Sequence, residues 1–265
     1  MRPLITLTSD FGLDDEYVGL MKGVIRGISP DAGCIDITHS IPAGDIQRAA
    51  RTIAHSYPFF PQNTIHLVVV DPGVGSDRHI LCLQAEGHLF VGPDNGVFTL
   101  LLDDDKVTAC YRVTNEKLFR SPVSPTFHGR DIMAPVTARL AAGLEPAEVG
   151  EQVAVEECVT IRMAGARIEN DGIYGEVIQI DHFGNIQTSI TADDLLKAGL
   201  GGRLCVTIDQ TKLTGRICQT YSQADSAHPI FLIDSRRHLE ISVNGGSAAD
   251  ILNCSPGCTV TVKTA

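Results

Sequence analysis

Residues 64–75 have the sequence TIHLVVVDPGVG, in which a continuous apolar run ends at Asp71 and a glycine-rich turn. An apolar run without alternation is typical of a strand that is buried on both faces, as in the parallel sheet of an α/β domain. Ligands of such sheets bind beyond the carboxyl ends of the strands. The segment therefore predicts a central strand that brings Asp71 to a ligand-binding edge.

The segments around this strand alternate between helix and strand patterns. Apolar residues recur at the spacing of one helix face within residues 17–28, 45–57 and 131–142. Short apolar runs predict further strands at residues 4–8, 34–37, 80–83 and 89–91. Strands that alternate with helices are typical of a parallel sheet. We therefore expect an α/β domain with a largely parallel sheet over residues 1–165.

The remainder of the chain, residues 166–265, has a different pattern. Its apolar runs are short, rich in β-branched residues and separated by Gly, Asn and Asp. They predict strands at residues 174–181, 186–190, 204–208, 230–233, 239–243 and 259–263. Short strands with frequent turns are typical of a small antiparallel sandwich or barrel. The sequence therefore predicts a second domain that is all-β and barrel-like.

Composition and charge restrict the partners of the protein. The chain has 265 residues and a formal net charge of -11, whereas nucleic-acid binding needs clustered Lys and Arg. No apolar run approaches the roughly 18 residues of a membrane helix, and residues 1–8 lack the pattern of a secretory signal. The eight cysteines are scattered without a Cys-x-x-Cys motif, which favours reduced thiols. We expect a cytoplasmic protein with neither a nucleic-acid nor a membrane partner.

Polar residues follow three predicted strands of the first domain. Asp10 follows the first strand, Asp71 the central one, and Asp94-Asn95 the strand at residues 89–91. In the second domain, Asp181-His182-Phe183-Gly184-Asn185 and Ser235-Arg236-Arg237 each interrupt or follow a strand. Any one of these groups could simply start a turn, because Asp, Asn and Gly favour turns. Three at corresponding strand ends favour a binding site.

Several common catalytic motifs are absent from the sequence. It contains neither Gly-x-Gly-x-x-Gly nor a P-loop, and neither His-Glu-x-x-His nor Gly-x-Ser-x-Gly. One alternative involves calcium, because Asp10-Phe11-Gly12-Leu13-Asp14-Asp15 is similar to the acidic motif of nucleoside hydrolases. That family has a further Asp where this chain has Thr8. Since calcium needs many oxygen ligands, the missing carboxylate weakens this alternative.

Seven motifs follow one another along nearly the whole chain. They are Thr8-Ser9-Asp10-Phe11-Gly12, Asp36-Ile37-Thr38-His39, Val70-Asp71-Pro72-Gly73-Val74-Gly75 with Arg78, Gly92-Pro93-Asp94-Asn95-Gly96, Thr126-Phe127-His128-Gly129-Arg130-Asp131, Asp181-His182-Phe183-Gly184-Asn185 and Asn244-Gly245-Gly246. In order and spacing they resemble the S-adenosylmethionine hydrolases (SAM hydroxide adenosyltransferases), a family related to the bacterial fluorinase and chlorinase.

The resemblance implies an N-terminal α/β domain, a C-terminal β-barrel and a homotrimer. It places each active site between one subunit's N-terminal domain and its neighbour's C-terminal domain. It also implies a catalytic set of Asp, Arg and His, which falls on Asp71, Arg78 and His128. The halogenases lack this set, and fluorinase has Tyr and Ser where this chain has His128 and Gly129. Because fluorinase holds fluoride with that Ser, Gly129 favours hydrolysis over halogenation.

The resemblance also implies a set of substrate-binding residues. They are Asp10, Asp15, Asn95, Phe127, Asp181, Phe183, Asn185, Ser235, Arg236 and Gly245. Asp10 is expected to accept hydrogen bonds from the ribose hydroxyls, while Asp15 and Asp181 face the ammonium group of the amino-acid tail. Ser235 and Arg236 suit the carboxylate, because Arg offers a bidentate fork.

The adenine contacts follow in the same way. Asn185 offers a donor and an acceptor to the adenine edge, and Gly245 offers its backbone. Phe127 and Phe183 are candidate walls against adenine or ribose, with plain core packing as the alternative for both rings. Two departures from fluorinase affect this region. The turn between Asp181 and Phe183 is one residue shorter, and Val243 stands where fluorinase has an Arg.

The implied reaction is attack of water on the ribose C5′ carbon of a sulfonium substrate, which gives adenosine and methionine. Methionine leaves as a neutral thioether, so the reaction needs neither a general acid nor a metal, and no cofactor is expected. Asp71 or His128 would accept the proton of the water, and the sequence does not distinguish them. Arg78 stays protonated and would orient the Asp71 carboxylate and the water.

Three other functions compete with this interpretation. A non-catalytic S-adenosylmethionine-binding module would bind without turnover, although it would have no use for Asp71, Arg78 and His128. A calcium-dependent nucleoside hydrolase would lose its activity with a chelator. A halogenase would need chloride or fluoride.

Overall fold

The computed structural model describes residues 2–102, 106–223 and 228–265. The chain divides into two compact units, of which the first ends at Ile161 and the second runs from Arg162 to Ala265. The division lies close to the boundary expected after residue 165. Each unit has its own hydrophobic core.

The first unit is built from strands and helices in alternation. Its described strands are β1 (Leu4–Ser9), β2 (Gly33–Thr38), β3 (Ile65–Val69), β4 (Ile80–Ala85), β5 (His88–Pro93) and β6 (Val107–Arg112). Its α-helices over the same residues are α1 (Tyr17–Ile28), α2 (Ile46–Ser56), α3 (Thr99–Leu102) and α4 (Ala134–Ala141). Residues Gly129–Met133 form a π-helical turn immediately before α4.

The strands of the first unit form one sheet in the order β2-β1-β3-β5-β4-β6. The pairs β1–β2, β1–β3 and β3–β5 are parallel, which confirms the predicted α/β domain with a largely parallel sheet. Strand β4 pairs antiparallel with both β5 and β6. Strand β6 was not predicted, because most of its residues are only half-buried and its apolar pattern is weak.

Helices cover both faces of this sheet. On one face Met21 and Ile25 of α1 pack with Leu7 and Leu67 of the central strands, and α4 joins the same cluster. On the other face Ile53 of α2 packs with Val68 and Val70. Because both faces of β3 are covered, all five of its residues are buried, as its continuous apolar run predicts.

The second unit contains eight strands among its described residues. They are β7 (Arg167–Glu169), β8 (Gly172–Ile180), β9 (Ile186–Thr191), β10 (Arg203–Ile208), β11 (Thr211–Cys218), β12 (Pro229–Ile233), β13 (His238–Val243) and β14 (Thr259–Thr264). Two short helices accompany them, α5 (Ala192–Lys197) and α6 (Ala248–Leu252).

Seven of these strands close into a barrel in the order β14-β10-β11-β12-β13-β9-β8, with β8 paired to β14. The strand pattern of the sequence was compatible with either a sandwich or a barrel. The pairing of β8 with β14 closes the sheet and shows that it is a barrel. Strand β7 adds to β8 outside the ring. Strands β7 and β11 were not predicted, since Arg167–Glu169 is exposed and Thr211–Cys218 has few apolar residues. The pair β11–β12 is parallel, which the expected antiparallel pattern did not include.

None of the helices that the structure describes is both long and apolar enough to cross a membrane.

Candidate active site

The parallel strands of the first unit carry polar residues to one edge of the sheet. Strands β1, β3 and β5 run in the same direction, so Asp10, Asp71 and Asn95 follow them at their carboxyl ends. The side-chain amide of Asn95 donates to the carbonyl oxygen of Val70 at 2.9 Å. Its carbonyl oxygen accepts from the amide of Val97 at 3.2 Å. Asn95 therefore ties the end of β5 to the residue before Asp71.

Asp71, Arg78 and His128 meet in one hydrogen-bonded cluster. Nε of Arg78 donates to the two carboxylate oxygens of Asp71 at 2.9 Å and 3.0 Å, and Nη2 donates to Oδ2 as well. The same Nη2 lies 2.9 Å from Nδ1 of His128. The side chains of Asp71 and Arg78 are only 6% and 10% exposed. One guanidinium thus holds both the carboxylate and the imidazole.

The chemistry of Arg78 determines the state of the imidazole. A guanidinium only donates hydrogen bonds, so Nδ1 of His128 must accept, and the neutral ring carries its proton on Nε2. Burial and the neighbouring Arg78 charge lower the pKa of His128, and Asp71 and Asp131 oppose that shift. His128 is therefore neutral near pH 7, with an N–H on its other side.

The loop that carries His128 is held by a buried carboxylate. Asp131 is fully buried, receives two hydrogen bonds from Arg130 at 2.8 Å and 2.7 Å, and accepts from the amide of Ser124 at 2.9 Å. Gly75 lies against this loop, where a Cβ atom would come within 2.5 Å of the Pro125 carbonyl oxygen. The absence of a side chain at Gly75 lets the turn after Asp71 approach the His128 loop.

Asp10 is positioned by the loop that follows β2. Its Oδ2 accepts from the amide of Gly44 at 2.8 Å. The preceding Ser9 hydrogen-bonds through Oγ to Nδ1 of buried His39 at 2.7 Å, and the His39 carbonyl accepts from the amide of Gly12 at 2.8 Å. His39 therefore joins the loops on either side of Asp10. The motif Asp36–His39 was quoted for the resemblance, but no role was predicted for His39.

Three aromatic rings lie in contact beside the His128 loop. Phe127 makes edge contacts with Phe11 and Tyr17, at centroid distances of 5.8 Å and 5.4 Å. Phe127 is 9% exposed and belongs to the core cluster, so packing accounts for most of its ring. Tyr17, 42% exposed, offers more surface and was missed by the sequence analysis. Asp15 is exposed on the loop between β1 and α1.

In the second unit, Asp181 and Asn185 build a turn between β8 and β9. Oδ1 of Asp181 accepts from the amides of Phe183 and Asn185, both at 2.9 Å. Its Oδ2 accepts from the side-chain amide of Asn185 at 2.9 Å. Phe183 projects outward and is 73% exposed. The two polar side chains thus hold each other by a hydrogen bond. Phe183 lies outside the core, so core packing does not explain an aromatic residue at this position.

Two cavities adjoin this turn and share Asp181, Asn185 and Tyr221. The first, about 400 Å³, is polar and includes Ser235 and Arg236. The second, about 520 Å³, is lined further by Phe183, Val243, Asn244, Gly245 and Gly246. The six site residues predicted for the second unit therefore line two adjacent cavities. Tyr221 was missed, because it stands in a polar stretch without a recognisable motif.

Across the residues described, no group of three or more His, Cys, Asp or Glu side chains is arranged to hold a metal ion.

Comparisons with known proteins match most of the chain to one family. Residues 5–150 match the N-terminal domain of SAM hydroxide adenosyltransferases, and residues 175–261 match the C-terminal domain. The (R)-S-adenosyl-L-methionine hydrolase of Salinispora tropica is 39% identical over 259 residues, covering 96% of this chain and 95% of that protein. The fluorinase of an Actinoplanes species is 30% identical over 294 residues, covering 100% of this chain and 98% of that protein.

A solved structure agrees with this match. The crystal structure of an uncharacterized conserved protein from Thermotoga maritima has a TM-score of 0.91 to this chain at 33% identity, and the match covers 97% of this chain and 99% of that one. The chain therefore belongs to the SAM hydroxide adenosyltransferase family.

Proposed function

We propose that this protein hydrolyses S-adenosyl-L-methionine to adenosine and L-methionine, by in-line attack of water on the ribose C5′ carbon and without a metal. The observation that carries the proposal is the cluster in which Arg78 joins Asp71 to His128 at the carboxyl edge of the sheet. The identity to the S. tropica hydrolase supports the same reaction. His128 and Gly129 stand where fluorinase has Tyr and Ser, which favours water over halide as the nucleophile.

The reaction asks little of the protein beyond placing and deprotonating a water. The sulfonium leaves as a neutral thioether, so no residue has to protonate it. Holding the water in line with the breaking C–S bond contributes several kcal/mol, about 7–11 in well-oriented intramolecular reactions. Base assistance adds roughly 10²–10⁴-fold.

Asp71 is the better proton acceptor of the two candidates. The Nδ1 lone pair of His128 is occupied by Arg78, and Nε2 carries the ring proton, so the neutral imidazole has no lone pair for water. Each carboxylate oxygen of Asp71 has two lone pairs, and Oδ1 accepts only one of the hydrogen bonds from Arg78. In this mechanism Asp71 accepts the proton, and His128 orients the water with its Nε2–H.

The proposed binding roles in the first unit are those implied by the resemblance. Asp10 accepts hydrogen bonds from the ribose hydroxyls, with one oxygen already held by Gly44. Phe127 is a candidate wall against adenine or ribose, and Asn95 is a substrate-binding residue that is held in place by its bond to Val70. Asp15 faces the ammonium group from an exposed loop.

The two cavities of the second unit suit the two ends of the substrate. The polar cavity takes the amino-acid tail, with its carboxylate on Ser235 and Arg236. The other cavity takes adenine between Phe183 and the backbone at Gly245, with Asn185 at its edge. Asp181 lines both cavities, and its role toward the ammonium group stays a prediction.

The test is to incubate the chelator-treated protein with S-adenosylmethionine in ¹⁸O water and to analyse the products by mass. Adenosine labelled at its 5′ oxygen, together with methionine, is the expected result. The variant Asp71→Asn is the matched control and should release little of either product. Unchanged substrate with wild-type protein would favour the binding module. A requirement for calcium or for halide would favour the other two alternatives.

Two further proposals follow from the family. The protein is a homotrimer whose active sites combine one subunit's N-terminal domain with its neighbour's C-terminal domain, and it works in the cytoplasm. Light scattering of the purified protein tests the first, with about three times the mass of the 28.4 kDa chain expected. Cell fractionation tests the second.

A further inference from the structure

The polar cavity of the second unit contains a buried carboxylate that the sequence did not single out. Glu240 lies in β13, where Leu239, Ile241 and Val243 belong to the barrel core. Alternation places Glu240 on the outer face, yet it is only 6% exposed. It lines the cavity that also contains Ser235 and Arg236. Because burial of an unpaired charge is unfavourable, a buried carboxylate at the wall of a binding cavity is stabilised by a cationic partner.

The side chain of Glu240 is held in place through one of its two oxygens. Oε1 accepts from the hydroxyl of Tyr221 at 2.9 Å and from the hydroxyl of Ser242 at 2.6 Å. Both hydrogen bonds that the described residues donate to Glu240 reach this oxygen, which leaves Oε2 for a ligand. Burial raises the pKa of Glu240, and the hydrogen bonds from Ser242 and Tyr221 oppose that shift.

The other carboxylates of this cavity are occupied by the protein itself. Asp181 accepts three hydrogen bonds within its own turn. Asp234 accepts from the amides of Arg236 and His238, at 2.9 Å and 2.8 Å, and from the side chain of Gln187. Glu240 is therefore the carboxylate of this cavity with the most capacity for an incoming cation.

The cavity also contains a cationic side chain, Arg236, that forms no ion pair with Glu240. Within the described part of the chain, Nη1 of Arg236 donates to Oε1 of Gln179 at 3.3 Å, and no carboxylate lies within ion-pair distance of its guanidinium. A cavity that offers a cation and an anion separately matches a zwitterion, which brings one group of each sign. The head group of an α-amino acid has this chemistry.

The structure assigns to Glu240 a contact with the ammonium group of the amino-acid tail, in addition to the contacts proposed for Asp15 and Asp181, opposite the tail carboxylate on Ser235 and Arg236. This assignment rests on the proposed function for the identity of the ligand. It deepens that function by naming a further side chain that distinguishes an amino acid from the same compound without its amino group. Tyr221 and Ser242 are positioning residues, because they hold the carboxylate of Glu240 and act through it.

The experiment measures binding rather than turnover. Calorimetry compares L-methionine with 4-(methylthio)butanoic acid, which is methionine without the amino group, and with adenosine. In Glu240→Gln the affinity for methionine should fall about 10-fold or more, because a charged hydrogen bond is lost. The affinities for the deaminated compound and for adenosine should stay within about 2-fold. The control Glu169→Gln, at an exposed site in the same unit, should change none of them.

A second variant covers the case in which Glu240→Gln does not fold. Tyr221→Phe keeps the ring and removes one hydrogen bond to Oε1, so methionine binding should weaken about 3-fold while that of the deaminated compound is unchanged. Equal losses for both compounds, unaltered methionine binding in Glu240→Gln, or no methionine binding by the wild type would each overturn the assignment. Glu240-dependent methionine binding by a protein that does not hydrolyse S-adenosylmethionine would refute the proposed function and leave this assignment standing.

Discussion

Nη2 of Arg78 lies 2.9 Å from Nδ1 of His128, and the same nitrogen donates to Asp71. Because a guanidinium has donors and no acceptor, this contact defines the acceptor side of the imidazole. It also makes the carboxylate and the imidazole depend on one side chain. Arg78 is therefore the residue whose replacement should disturb the whole cluster.

Replacing Arg78 by Lys should lower kcat for S-adenosylmethionine by about 100-fold, the scale of lost base assistance. Lysine keeps the charge but has no planar fork, so it cannot hold both partners in the same geometry. Release of adenosine is the measurement. Arg237→Lys is the matched control, since Arg237 forms an exposed ion pair with Asp193. A kcat of Arg78→Lys within threefold of the wild type, a range of roughly 0.7 kcal/mol, would contradict the role of the fork.

The activity should decline on the acid side below pH 6.5. Burial and Arg78 lower the pKa of His128 from 6.5, so the ring stays neutral above that pH and protonates only below it. A protonated ring can no longer accept from Arg78, and the two positive charges repel. The measurement is the pH profile of kcat for the wild type and for His128→Asn, whose amide oxygen can still accept.

In His128→Asn the acid limb should move to lower pH, because the imidazole whose protonation breaks the contact with Arg78 is absent. An unaltered acid limb would show that His128 is not the group that titrates. Complete loss of activity at every pH would instead favour His128 over Asp71 as the proton acceptor.

Gly129→Ser should destabilise the protein and should not create a halogenase. A Cβ atom at Gly129 would lie 2.9 Å from Cγ1 of Val69 and 3.4 Å from Sδ of Met21. Such overpacking costs about 1–3 kcal/mol, and each kcal/mol lowers Tm by about 2–4 °C. Thermal unfolding measures the effect, with Gly23→Ser as control because a Cβ atom there meets no atom within 4 Å. Adenosine should remain the only nucleoside product in chloride or fluoride.

The stability of the first unit should fall as the pH drops below 6.5. His66 is fully buried, bonds to Oγ1 of Thr6 at 2.7 Å and stacks on Phe90 at 4.9 Å. Burial, and then the neighbouring His88, lower its pKa to about 3. Between pH 6.5 and pH 3 His66 binds a proton in the unfolded chain but not in the folded one. The free energy of unfolding therefore falls as the pH decreases through this range.

The expected loss is about 1.4 kcal/mol for each pH unit below 6.5. Urea unfolding at pH 7, 6 and 5 measures it. His66→Gln should flatten the dependence, whereas His182→Gln, at an exposed site, should keep it. The same slope in wild type and His66→Gln would contradict the assignment.

Local patterns predicted the strands that mattered most for the site. The apolar run at residues 64–70 contains β3 (Ile65–Val69), and Asp71 stands at the expected edge. The sheet edge also receives Asp10 and Asn95, because parallel strands end on the same side. The other strands were found by their apolar runs. Strand β11 was missed because its core-facing apolar pattern is interrupted by Gly215 and polar residues.

The sequence by itself determined the two fold classes and the largely parallel sheet, because periodicity and turn residues act over short distances along the chain. The catalytic role of Asp71, Arg78 and His128 was implied by the family resemblance and stays a prediction. Only the tertiary structure decided which groups share hydrogen bonds. The sharing of Arg78 between Asp71 and His128, the use of the Asp181 oxygens inside their own turn, and the burial of Glu240 under Tyr221 depend on how distant segments pack. Closure of the barrel by β8 and β14 was also decided by the tertiary structure, since the pattern of each strand alone is equally compatible with an open sheet.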